Sequence, residues 1–179
     1  MSMPEKFLND GLLGKQNNYE YSVRVLLIFA WPGIPENEKR ENYVYSHDIF
    51  PTVCDLINID IPESVEGESL KEVIQNEDKN AENDAGNDKI RDYLYFAYES
   101  KVRAVKGDCY KLIVYNTAEG TKKQLFDLKN DPDESNNLYG EAGYEDIAEE
   151  LKEQMMKYKK EWDDEQHPTG EKFWSEVEL

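Results

Sequence analysis

Carboxylates crowd the stretch Asp131-Pro132-Asp133-Glu134, and alternating acidic side chains are a common way for a loop to hold a hard cation such as calcium. Here the spacing lacks the regular ligand ladder and the glycine of a hand-type calcium loop, so the stretch reads as a turn. The two cysteines, Cys54 and Cys109, fit no metal spacing and no disulfide framework. Each lies in an apolar run, which predicts buried free thiols. His47 and His167 are isolated in sequence, as surface or capping histidines are. Acidic clusters are far commoner than metal sites, and none of these residues forms a local catalytic motif.

The elements that would position such residues centre on the stretch from Tyr93 to Leu138. Four short runs rich in β-branched and aromatic residues, Tyr93–Tyr98, Val102–Lys106, Tyr110–Tyr115 and Gln124–Leu128, are separated by turn formers. They predict a four-stranded antiparallel meander. Gly107-Asp108 sits at hairpin spacing, where Gly107 is expected to take a positive φ, and Glu119-Gly120 marks a longer loop. Alternation puts Tyr110, Leu112 and Val114 on an apolar face and Lys111, Ile113 and Tyr115 on a mixed one. The apolar face needs a cover. Ile147, Leu151, Met155, Tyr158 and Trp162 recur at spacings of three and four, predicting that the cover is a helix from Tyr144 to about Trp162.

Upstream, Val23–Ala30 is almost continuously apolar, which predicts a strand buried on both faces, as in a parallel α/β sheet. A helix is expected over Ser46–Ile57, with Ser46 or Asp48 as its cap, Pro51 in the first turn and Phe50, Val53, Leu56 and Ile57 as its apolar stripe. A short helical stretch follows from Ser69 to Gln75. Residues 76–92 are low in complexity and acidic, and read as a flexible loop. The tail, Asp163–Leu179, reads as an extended arm anchored by Phe173 and Trp174.

The 179 residues are enough for one ordinary domain, or one and a fraction. A formal charge of −18 argues against nucleic acid and against anionic membranes as partners. The amino-terminal residues show no signal-peptide pattern and no run approaches membrane-spanning length, so the chain as written reads as cytoplasmic.

The order of features resembles the carboxy-terminal part of the sulfatase family, within the alkaline-phosphatase-like superfamily. The matching stretches are Gly14-Lys15-Gln16-Asn17-Asn18-Tyr19-Glu20 with Ser22-Val23-Arg24-Val25, then Asp48-Ile49-Phe50-Pro51-Thr52, and then Gly67-Glu68-Ser69-Leu70. They continue with Arg103-Ala104-Val105 and Tyr110-Lys111-Leu112-Ile113, and end with Leu125-Phe126-Asp127-Leu128, Asp131-Pro132-Asp133-Glu134 and Asn137-Leu138. The resemblance implies a large α/β domain carrying the active site and a smaller carboxy-terminal domain with a four-stranded antiparallel sheet and a packed helix. The expected fold class is therefore α+β, with the sheet and its helix preceded by a remnant strand and helix of the larger domain.

The resemblance also implies the chemistry. Family members hydrolyse sulfate esters with a hydrated formylglycine nucleophile, and a calcium-type divalent cation and a lysine stabilise charge developing on the sulfuryl oxygens. Neither Cys54-Asp55-Leu56-Ile57-Asn58 nor Cys109-Tyr110-Lys111-Leu112-Ile113 is a formylglycine precursor motif, and the family's metal-binding aspartates have no counterpart. Lys15 matches the family's sulfate-contacting lysine. Arg103 lies in a strand that approaches the mouth of the active site, where it would face substrate or pair with a nearby carboxylate. Asp10 stands where many members carry a histidine. The family reading of the acidic stretch is a turn capped by Asp127 and Asp131 and bent by Pro132.

These readings divide the chain into residues 1–75, the end of the catalytic α/β domain; 76–92, the acidic loop; 93–165, the small domain; and 166–179, the tail. They predict no catalytic or metal-ligating residue, substrate contacts at Lys15 and Arg103, and no cofactor in this chain. Formylglycine and the divalent cation are expected in an intact member. The expected role is pocket closure and substrate choice in an intact sulfatase, with no activity alone and with a complementing amino-terminal catalytic domain or a second copy as partner. The alternative is a stand-alone, non-catalytic interaction module.

Overall fold

The computed structural model describes residues 16–75 and 89–179. Lys15, Asp10 and most of the acidic loop lie outside the described residues. The chain forms two compact units: residues up to Leu26 together with Tyr95–Leu179, and Leu27–Leu94.

The first unit is built on strands β1 (Leu94–Tyr98), β2 (Val102–Lys106), β3 (Tyr110–Thr117) and β4 (Gly120–Asp127), in the order β1-β2-β3-β4. The β2–β3 and β3–β4 pairs are antiparallel, with Ala104 opposite Ile113 and Leu112 opposite Leu125. β3 and β4 run on to a tight loop at Ala118-Glu119, shorter than expected, with Gly120 at φ 110°. Gly107 does not adopt the positive φ anticipated for it. That conformation falls instead to Glu99, in the β1–β2 turn, and to Gly120.

Both faces of the sheet are covered. Helix α4 (Glu145–Glu161) packs across β2 and β3, burying Ala148, Leu151 and Met155, and its own charges complement the helix dipole, with Glu145 and Asp146 first and Lys159 and Lys160 last. The face expected to be mixed is also a core: Val102, Ala104, Ile113, Tyr115 and Phe126 cluster there with Tyr19. Tyr19 belongs to a strap, residues 16–23, that ends in the short helix α1 (Glu20–Val23). The tail is not extended. After a 3-10 turn at Asp164–Gln166 it forms helix α5 (Pro168–Glu176), with Pro168 in its first turn and the His167 ring accepting from the Thr169 amide. Phe173 is fully buried.

The second unit holds a 3-10 turn, Ser46–Asp48, running into helix α2 (Ile49–Leu56), and the short α3 (Lys71–Gln75). Asp48 is its hub. The buried carboxylate accepts from the backbone amides of Tyr45 and Glu68 and from both terminal nitrogens of Arg91, at 2.7–2.9 Å. Thr52 fastens the same corner, donating to the Asp48 carbonyl and accepting from the Leu70 amide. Helix α2 buries Pro51, Thr52 and Cys54, whereas Phe50, Val53 and Ile57 of the expected core stripe are exposed. Cys54 is a buried free thiol and Cys109 a half-buried one.

The strand expected at Val23–Ala30 is not formed, and Val25, Leu26 and Ile28 are exposed. A strand buried on both faces needs neighbours to pair its amides and carbonyls, and none of the four strands pairs with this run. No helix among the described residues is long and apolar enough to cross a membrane.

Candidate functional site

The densest concentration of buried charge in the first unit lies where the strap crosses the sheet. Lys111 enters from the start of β3 with no exposed surface, and its Nζ sits 2.7 Å from Glu20 Oε1, 2.9 Å from Glu134 Oε1 and 3.0 Å from the Asn18 carbonyl oxygen. Glu134 uses its other oxygen to accept from the Glu20 backbone amide at 2.6 Å. Lys106, next to Lys111 across the β2–β3 pair, closes the group at 2.8 Å from Glu20 Oε2. Each charge thus has an opposite partner within direct contact, as burial requires.

The local sequence explains how these groups meet. Lys106 and Lys111 are opposite residues of one register pair, so both ammonium groups emerge on the strap side. Glu134 is delivered by the acidic turn: the Asp131 carbonyl receives its amide, the Asp131 carboxylate caps the amides of Ser135 and Asn136, and Asp127 caps Lys129 and Asn130. The turn leaves Glu134 at φ 52°, a left-handed conformation uncommon for a glutamate. On the strap, the Asn17 side chain accepts from the Tyr19 amide and Ser22 hydroxyl, while the Tyr19 hydroxyl donates to Gln124 at 2.7 Å.

Electrostatics divide the two glutamates. For Glu20, burial works to raise the pKa but Lys111 and Lys106 outweigh it, holding the carboxyl below the usual range. For Glu134, burial is the stronger influence and lifts the carboxyl above that range despite Lys111.

Arg103 lies on the opposite face of the sheet. Its guanidinium makes a two-point contact with Asp164, Nε to Oδ2 at 2.7 Å and Nη2 to Oδ1 at 2.9 Å, and Nη1 donates to the carbonyls of Glu99 and Val102. One bond from Nε, two from Nη1 and one from Nη2 occupy four of its five N–H groups. Asp164 also accepts from the Tyr95 hydroxyl and the Trp174 indole, and Phe173 stacks against the guanidinium at 4.7 Å. Burial first, then Asp164, keeps Tyr95 protonated as the donor. The structure therefore does not bring Arg103 to the clasp around Lys111. Lys15 precedes that clasp in sequence but lies outside the described residues.

Each isolated histidine has a local role. His47 stacks on Tyr45 and His167 caps α5. No group of three or more His, Cys, Asp or Glu residues suited to a metal ion occurs among the described residues. Lys111, Glu134 and Glu20 escaped the sequence reading as a group because they meet across long separations. A signal was present all the same, in a lysine flanked by strand residues and a glutamate ending the acidic turn.

Comparison with known proteins places this architecture. The family model described as N-sulphoglucosamine sulphohydrolase, C-terminal, matches residues 9–161, which include the strap, the sheet, the acidic turn and α4. An N-acetylglucosamine-6-O-sulfatase of Bacteroides thetaiotaomicron is 30% identical over 161 residues, covering 86% of this chain and 28% of that protein. A ulvan-active sulfatase of Formosa agariphila is 31% identical over 153 residues, 84% of this chain and 29% of that one. The solved structure of a 2-O GAG sulfatase matches with a TM-score of 0.60 and 30% identity over 77% of this chain and 30% of the other. The chain thus spans under a third of the length of these relatives, and it belongs to the sulfatase family, of which it represents the carboxy-terminal portion.

Proposed function

We propose that this chain works as the carboxy-terminal part of a sulfate-ester hydrolase, supplying Lys15 to the sulfate and one wall of the pocket, while an amino-terminal catalytic portion supplies the nucleophile and the cation. The observation that carries the reading is the match over residues 9–161 to a portion that ends, in its relatives, a much longer enzyme. The exposed apolar residues of α2, Phe50, Val53 and Ile57, support it, because such a stripe suits a further body of protein.

Among the described residues no group of three or more His, Cys, Asp or Glu is suited to a metal ion, so the reading assigns the cation to the amino-terminal portion and routes no step through it here. Its own contribution is binding and shape. An ammonium at Lys15 would offset negative charge gathering on the sulfuryl oxygens, and the small domain would limit which ester can approach.

The test is hydrolysis of an aryl sulfate with added calcium. The isolated chain is expected to give no turnover, and the same chain joined to an amino-terminal sulfatase portion is expected to give turnover that falls on Lys15→Ala. Turnover by the isolated chain would contradict the reading. The exposed α2 stripe also favours a second reading, a non-catalytic module that associates with itself. Light scattering separates the two, since the module requires a stable dimer of the isolated chain.

A further inference from the structure

We propose that Lys111 and Glu134 are positioning residues for the sulfate-contacting lysine, fixing the path of the chain immediately after Lys15 by tying Asn18 and Glu20 to the sheet. This rests on the role of Lys15 proposed above.

The strap is held far more firmly than a cover for a small hydrophobic cluster requires. Within the strap, Tyr19 is the residue that joins the apolar cluster, packing on Phe126 with ring centroids 5.8 Å apart. Around it, consecutive residues are fixed by polar contacts: Asn17 by its own side-chain turn, Asn18 through its carbonyl to Lys111, and Glu20 through its amide to Glu134 and its carboxylate to both lysines. Asn17, Asn18 and Tyr19 are all buried.

The energetic character of these contacts also points to geometry. A buried group of charges adds little net stability compared with apolar packing of the same volume, but it tolerates only one arrangement of its members. Two further local costs accompany it. Glu134 sits in a left-handed conformation, and the buried Asn18 Nδ2 has no hydrogen-bond partner among the described residues. Strain and an unpaired donor at the segment following Lys15 are what a device that fixes position, at some expense of stability, would show. A displacement of about 1 Å at a contacting group can lower turnover ~100-fold, so the path of this segment matters.

The contacts further along the strap extend the hold. Tyr21 stacks on Tyr19 and receives a hydrogen bond from Asn17 Nδ2, so the strap is braced on both sides of the clasp. Past α1, Val25 and Leu26 are exposed.

A double-mutant cycle in a full-length sulfatase carrying this chain as its carboxy-terminal portion tests the proposal. Glu134→Gln keeps the shape and an acceptor for the Glu20 amide but removes the charge facing Lys111. It is expected to lower kcat/KM for a sulfate ester ~10-fold or more in the wild-type background and to cause little further loss in Lys15→Ala. Losses that multiply in the double mutant would overturn the proposal, because the clasp would then act independently of Lys15. If Lys15→Ala alone were neutral while the parent enzyme turned over, the role of Lys15 and this proposal would both fall, though the family reading would stand.

Amide exchange on the isolated chain supplies a readout independent of catalysis. In Glu134→Gln the amides of Tyr19 and Glu20 should exchange at least ~10-fold faster while β2 and β3 keep their protection. Unchanged exchange at the strap would overturn the clasp itself. Should Glu134→Gln lose protection throughout the sheet, Glu20→Gln replaces it in both experiments and is judged by the same outcomes.

Discussion

Lys111 and Glu134, 23 positions apart, meet at 2.9 Å with both side chains almost wholly withdrawn from water. The pair joins the centre of the meander to the acidic turn and carries the strap between them, so two stretches that look unrelated in sequence form one structural feature.

Lys111→Met would leave Glu20 and Glu134 facing each other without the shared cation. Breaking a buried ion group by removing one member costs about 3–5 kcal/mol, so the urea midpoint of the first unit should fall sharply. An unchanged midpoint would show that the clasp is not coupled to folding.

Asp164 gathers Arg103, Tyr95 and Trp174 onto one carboxylate. Asp164→Ala should destabilise the chain by roughly 3 kcal/mol and loosen α5, seen as a red shift of tryptophan emission and as early proteolysis after Trp162. Retention of the native emission spectrum and protease resistance would contradict this account of the tail.

Gly170 packs against the backbone of the 3-10 turn, where an added Cβ would collide with the Asp164 carbonyl oxygen. Gly170→Ala should therefore cost about 1–3 kcal/mol even though alanine is the better helix former. A thermal midpoint equal to or above the parent's would show that α5 can shift without penalty.

The pH profile follows from the directions of three carboxyl groups. Burial works to raise the pKa values of Glu20 and Asp164, but their cationic and hydrogen-bonding partners lower both, so each stabilises the fold above its ordinary value. That stabilisation is lost as pH falls through the depressed folded values. Glu134 is shifted upward, and its contribution is full below its ordinary value and lost as pH rises through the raised one. Because Glu134 acts in the opposite sense above its ordinary value, urea unfolding should show stability rising with pH only between about pH 3 and about pH 4.5, and Asp164→Asn should flatten that rise. An unaltered slope would remove Asp164 from the account.

Strands, covering helix and their order were legible because alternation and three-four spacing are local: Tyr110–Tyr115 and Ile147–Trp162 carry their own signals. The cover on the second face was not, since Tyr19 meets Phe126 and Gln124 only through tertiary packing. Helix α5 had readable start signals in His167 and Pro168, but Pro168-Thr169-Gly170 looks equally like a turn, and the choice is made by Phe173 docking on Arg103. Val23–Ala30 has the composition of an inner strand and lacks neighbours to pair with. The clasp was hidden for the reason that hid the strap cover: its members meet only once the meander and acidic turn have folded.

Aryl sulfate hydrolysis by the isolated chain, compared with the same chain joined to an amino-terminal sulfatase portion, tests the central claim most directly. The account predicts no turnover from the isolated chain and calcium-dependent turnover, sensitive to Lys15→Ala, from the joined protein. Turnover by the isolated chain, or a joined protein indifferent to Lys15, would contradict it.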